Sequence, residues 1–142
     1  MSKKIRIHTD GGARGNPGPA GIGAVVEVLD ENGGVVVKEN VSKYIGETTN
    51  NQAEYQALIA ALEVAKKLKG ERVDCFLDSE LIVKQLNHEY RVKDQFLAQL
   101  YMKVWNLSTN FKSISYTYIR REYNKEADKL VNVAIDKAVG KK

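Results

Sequence analysis

The hydrophobic period of this chain changes once, near Thr49, and that change limits the folds open to it. Before it, Ile5, Ile7 and Thr9 alternate with Arg6, His8 and Asp10, the two-residue period of a strand. Residues 4–10, 21–30 and 35–45 read as three strands. Asp30-Glu31-Asn32-Gly33-Gly34 reads as the hairpin turn joining the last two, so the chain opens as an antiparallel meander. After the change, residues 51 to 69 are rich in Ala and Leu and predict a long helix. Thr49 or Asn50 can cap it, Gln52 stands where a capping-box partner belongs, and Gly70 ends it. Beyond lie a strand at 73–77, helices at 79–87 and 94–107, a strand at 113–120 and a helix at 124–139. This order predicts an α/β fold with a mixed sheet whose later strands are parallel crossovers.

Several classes drop out. No apolar run approaches the ~18 residues that span a bilayer, so no membrane partner is expected. The start, Met-Ser-Lys-Lys-Ile-Arg-Ile-His, lacks the apolar stretch of a secretory signal. One cysteine, Cys75, cannot form an internal disulfide or a multi-cysteine zinc site, and it reads as a small core residue. The expected setting is a reducing cytoplasm and the default state a monomer. A net charge of +4 permits a polyanionic partner without demanding one.

The acids fall in unusual places. Leu58, Ala61, Ala65 and Leu68 make an apolar stripe on the long helix, and four residues back the stripe lands on Glu54. Val131, Ile135 and Ala138 make another on the last helix, and three residues back it lands on Asp128. A helix N-terminus stabilises an anion by only about 0.3–1 kcal/mol, less than the cost of burying an unpaired carboxylate. Asp78 follows the apolar run 73–77, at the end of a parallel strand where open sheets place ligands. Asp10 closes the first strand before two glycines that allow close backbone approach. If the four converge, two Mg²⁺ would balance their charge, and such a pair is the clamp of phosphoryl transfer. Any one acid alone reads more simply as a cap or a surface charge, and spacing does not establish convergence.

Four stretches carry a family resemblance: Thr9-Asp10-Gly11-Gly12 with Gly15-Asn16-Pro17-Gly18-Pro19; Thr48-Thr49-Asn50-Asn51-Gln52-Ala53-Glu54; Leu77-Asp78-Ser79; and Asn124-Lys125-Glu126-Ala127-Asp128-Lys129-Leu130. In this order, over nearly the whole chain, the sequence resembles type 1 ribonuclease H. The resemblance implies one ribonuclease H-like domain over residues 1–140, with a five-stranded mixed sheet flanked by helices, and a basic tail at 141–142. It implies a metal-dependent endonuclease that hydrolyses the RNA strand of RNA–DNA hybrids with two Mg²⁺, or Mn²⁺ as substitute. The products would carry 5′-phosphate and 3′-hydroxyl ends. Asp10, Glu54, Asp78 and Asp128 resemble the metal-binding quartet. Asn16 resembles the loop residue that meets the hybrid, Asn50 and Asn51 the asparagines that read the minor groove, and Thr49 part of the pocket for a DNA phosphate. A Rossmann-type reading of the glycine loop fails, because Gly11 to Pro19 leads into a strand and not a helix.

The chain departs from well-known members in two places. The stretch 118–124 is short and lacks the histidine that bacterial members carry there; Arg121, or its neighbour Arg120, is left to supply positive charge. Arginine stays protonated, so that role is electrostatic. Residues 86–96 lack the basic, Trp-rich handle of some members; Arg91 and Lys93 there read as a solvated turn. The likeness is therefore to the handle-less, archaeal-like branch, which implies salt-sensitive binding and extends the expected substrates to double-stranded RNA. Glu80 replaces the glutamine common in handle-bearing members. His8 reads as a partly buried sheet residue, and Trp105 as part of a helical core face with Leu100, Tyr101, Val104 and Leu107.

Overall fold

A computed structural model describes residues 3–140; the expected tail at Lys141 and Lys142 lies outside them. Five strands, β1 (Lys4–Ala13), β2 (Gly18–Leu29), β3 (Val35–Thr48), β4 (Arg72–Leu77) and β5 (Ser113–Tyr118), form a sheet ordered β3-β2-β1-β4-β5. The first three pair antiparallel, while β4 runs parallel to both β1 and β5, so the sheet is mixed as the element order predicted. Helices α1 (Asn50–Lys67), α2 (Glu80–Leu86), α3 (Gln95–Ser108) and α4 (Lys125–Ala138) complete the fold. A single 3-10 turn, Arg121–Tyr123, precedes α4.

Strand alternation sorts the packing. Ile5 and Ile7 of β1, Ala24, Val26 and Val28 of β2, and Val73, Cys75 and Leu77 of β4 pack into one core with Tyr55, Leu58, Ala61 and Leu62 of α1. α2 adds Ile82 and Leu86, and α3 adds Leu97 and Val104. Gly21 and Gly23, on the opposite face of β2, lie against α4. The site therefore forms where α1 and α4, on opposite faces, meet the same end of the sheet.

Some local expectations needed correction. β1 and β2 run further than predicted, because Gly11 and Gly12 stay in the ladder opposite Ile22 and Gly21. Thr49 caps α1, accepting the Gln52 N–H at 3.2 Å; the Gln52 side chain instead accepts from the Thr48 hydroxyl at 2.6 Å. The left-handed residue after α1 is Lys69, at φ +60°, not Gly70. Gly70 is needed for room, since a Cβ there would lie 2.5 Å from the Ile5 side chain. Trp105 is 50% exposed, and Val104 beside it takes the core position. Ala138, expected on the α4 stripe, is exposed, whereas Val131 and Ile135 are buried. His8 is partly buried and stacks on Phe76, as its strand position suggested. Arg91 and Lys93 are exposed in the short link between α2 and α3.

Candidate active site

Asp10 lies in β1, Asp78 just past the end of β4, and Glu54 in the second turn of α1. A carboxylate oxygen from each lies within 4.8 Å of the others. Parallel pairing of β1 with β4 brings the first two together, as Thr9 is in register with Leu77. Asp128, near the start of α4, stands outside this tight triad but lines the same cavity.

Backbone contacts hold these acids. The Gly11 N–H donates to Glu54 Oε1 at 2.7 Å. A Cβ on Gly11 would lie 2.2 Å from the Ala53 carbonyl oxygen, so α1 touches β1 at the residue before Glu54. A Cβ on Gly23 would lie 2.3 Å from the Ala127 carbonyl oxygen, so α4 touches β2 at the residue before Asp128. Gly23 is the register partner of Asp10. The two helices thus dock on glycines that flank Asp10 along and across the sheet, and each docking contact sits one residue from an acid.

The cavity holds about 430 Å³ and is lined by glycine-rich backbone, the four acids, Asn50, Asn51 and Arg121 among others. Asp10 and Glu54 are each 5% exposed. Burial pushes the Asp10 pKa up to about 8, reinforced by the neighbouring Asp78 and Asp128 carboxylates, against the pull of Arg121. Burial likewise raises Glu54 well above the carboxylate range, with Asp10 and Asp78 adding to it; the Gly11 N–H and Arg121 oppose the rise. Without a cation, Asp10 and Glu54 hold their protons more tightly than free carboxylates do.

The neighbouring polar residues divide by their partners. Asn50 accepts the Ala13 N–H at 2.8 Å through its side-chain oxygen, which leaves its NH₂ to donate. Asn51 lines the cavity and makes no side-chain hydrogen bond among the described residues. Neither caps the helix, because Thr49 does. Asn16 and Thr49 sit outside the cavity lining; Asn16 Oδ1 accepts the Asn50 N–H at 3.0 Å and so pins the glycine loop to α1. Arg121 lines the cavity, whereas Arg120 faces Glu122 at 3.7 Å on the exposed surface. Glu80 pairs with Lys84 at 3.5 Å and is not part of the cavity wall.

Asn124 was read in sequence only as part of a motif at a helix start. It is 2% exposed and donates to both the Thr9 carbonyl at 2.8 Å and Asp78 Oδ2 at 3.0 Å. Nothing local in the sequence marks this role, because both partners of its amide are remote in the chain.

The family model described as reverse transcriptase-like matches residues 8–134. The bifunctional protein Rv2228c of Mycobacterium tuberculosis is 43% identical over 135 residues, covering 95% of this chain and 36% of that protein. The ribonuclease HI of Halobacterium salinarum is 39% identical over 135 residues, covering 95% of this chain and 66% of its own length. The chain thus spans about a third of the first of these relatives and just under two thirds of the second. Among solved structures, LC11-RNase H1 in complex with an RNA/DNA hybrid superposes with a TM-score of 0.84 at 46% identity, covering 95% of this chain and 99% of that one.

Proposed function

Because this chain belongs to the reverse transcriptase-like, ribonuclease H family, we propose that it is an endonuclease hydrolysing the RNA strand of RNA–DNA hybrids. The observation that carries the reading is the convergence of Asp10, Glu54 and Asp78, from three separate elements, within 4.8 Å. An all-oxygen, mostly buried carboxylate set fits hard divalent cations. The raised proton affinities of Asp10 and Glu54 mark a place where positive charge is wanted. Asp10, Glu54, Asp78 and Asp128 would hold Mg²⁺, or Mn²⁺ as substitute, two ions per site when substrate is bound. Bound there, such ions would supply an activated water and stabilisation of the leaving 3′-oxygen.

The remaining roles belong to the chain's own groups. Arg121 offers fixed positive charge to the scissile phosphate and cannot take a proton. The NH₂ of Asn50 and the whole amide of Asn51 can contact 2′-hydroxyls and minor-groove acceptors, the features that separate RNA from DNA. Thr49 uses its oxygen as a cap and keeps its hydroxyl proton to donate to a DNA phosphate. Asn16 likewise keeps its NH₂. The expected products carry 5′-phosphate and 3′-hydroxyl ends. Double-stranded RNA is proposed as a second substrate, a monomer as the working state and the cytoplasm as the working compartment. No helix of the described residues is long and apolar enough to cross a membrane.

The test is cleavage of an end-labelled RNA–DNA hybrid with Mg²⁺ or Mn²⁺ against EDTA, with duplex DNA and double-stranded RNA in parallel. Cation-dependent cutting of the RNA strand is the expected result. Binding without cutting by the folded protein would replace the enzyme reading with a hybrid-binding module. Cutting of duplex DNA would point to the integrase and resolvase relatives of the fold.

A further inference from the structure

We propose that Asn124 is a positioning residue for the cation site: its side-chain amide fixes the rotation of the Asp78 carboxylate and ties it to the backbone beside Asp10. This rests on the cation-binding role proposed above. Three observations carry it. The two amide protons are both committed, one to the Thr9 carbonyl at 2.8 Å and one to Asp78 Oδ2 at 3.0 Å. The amide oxygen is buried and has no hydrogen-bond partner. The side chain makes no capping bond to α4, although the residue stands at the N-cap.

An asparagine before a helix ordinarily turns its oxygen to the helix N–H groups. Here that use is given up, and a buried acceptor is left unpaired, so that the NH₂ can face two oxygens. The amide has one viable orientation. Turned over, its oxygen would oppose both a carbonyl and a carboxylate. The main chain of Asn124 also accepts the Asp128 N–H at 3.1 Å. One residue therefore touches the strand leading into Asp10, the side chain of Asp78 and the backbone of Asp128.

The consequence is orientational. Asp78 follows a strand end and is half-buried, and Asn124 is the side chain that donates to it among the described residues. With Oδ2 held, the carboxylate presents its remaining lone pairs in a fixed direction. Groups that orient a ligating carboxylate in this way typically govern cation affinity or activity by roughly 10–100-fold.

Asn124→Ala and Asn124→Asp test it. Each is read by calorimetric titration with Mn²⁺ alone and by kcat and KM on the hybrid, below the thermal midpoint of the variant. Mn²⁺ affinity and kcat at a fixed low cation concentration should each fall roughly 10–100-fold. KM for the hybrid should hold, and added Mn²⁺ should restore part of kcat. A folded variant with the Mn²⁺ affinity and kcat of the parent, altered only in thermal midpoint, would overturn the proposal. If neither variant folds, the parent protein decides. On Mg²⁺ titration the Asn124 side-chain amide resonances should be protected from exchange and should shift together with the Gly11 amide. Free exchange with no shift at saturation would sink the idea. A parent protein that binds Mn²⁺ yet cuts no hybrid would remove the proposed activity and leave the Asn124 readouts standing.

Discussion

The N–H of Gly11 reaches Oε1 of Glu54 at 2.7 Å, so the residue after one acid of the site holds the side chain of another. The same glycine has no room for a side chain, with the Ala53 carbonyl oxygen 2.2 Å from where its Cβ would be. Gly11→Ala must push α1 from β1 and carry Glu54 away from Asp10. We expect a stability loss of about 1–3 kcal/mol, as for other overpacking changes, and hybrid cleavage reduced by at least about tenfold. Gly23→Ala should act alike through α4 and Asp128. Gly33→Ala serves as the contrast: it has open space and a φ of +83°, so it should lower the thermal midpoint while leaving turnover at the parent rate.

The raised proton affinity of Asp10 makes stability depend on pH in the cation-free protein. The folded pKa is about 8 against 3.8 for the free side chain, so the folded state binds the proton more tightly. Stability is then greatest at low pH and falls as pH rises from about 4 through about 8. The expected change is on the order of a few kcal/mol, shared with Glu54 because the two titrate together. Thermal denaturation in EDTA from pH 5 to pH 9 checks this. Asp10→Asn should flatten the profile, and Mg²⁺ should restore the midpoint at pH 8 by binding the folded state. A midpoint that rises with pH in EDTA would contradict the electrostatics described for the site.

Arg121 lowers the proton affinity of both buried acids. Arg121→Ala should reduce kcat by on the order of 10²-fold, the usual loss when one group stabilising a reacting oxyanion is removed. It should also shift the acidic limb of the pH–rate profile upward. Arg120→Ala removes an exposed pair with Glu122 and should change kcat by less than about twofold.

Asn50 and Asn51 should separate in binding assays. Asn51→Ala deletes an amide with no partner among the described residues and should raise KM for the hybrid roughly tenfold, about one hydrogen bond's worth, at unchanged thermal midpoint. Asn50→Ala also frees the Ala13 N–H, so it should lower the midpoint as well as raise KM. Equal effects of the two on stability would contradict this division.

Much of the architecture was legible because period and turn chemistry are local. The switch at Thr49 marks the passage from β3 to α1. The stripes of α1 and α4 ran back onto Glu54 and Asp128, and burial bears out the first, at 5% exposed. Their meeting with Asp10 and Asp78 was not legible from spacing. It depends on the parallel register of β1 with β4 and on two helix dockings at glycine, both contacts between residues remote in sequence. Trp105 was misread because Val104 and Trp105 are adjacent and periodicity cannot decide which of two large apolar neighbours turns inward. Gly70 was misread because the left-handed turn fell on Lys69, while the glycine lies against the Ile5 side chain of β1.

The dockings at Gly11 and Gly23 bear on how such a protein can change over time. The distance of Glu54 and Asp128 from the sheet is set by main-chain atoms in contact on its two faces, at Gly11 and Gly23. Loops, surface charge and even the packing of α3 are free to drift while those two helix dockings stay put. The same arrangement closes off small adjustments: the gap cannot be widened by one methyl at a time, since the first methyl already separates a helix from its strand. Variation in substrate choice must therefore come from the rim, where Asn51 and Arg121 stand, and not from the floor.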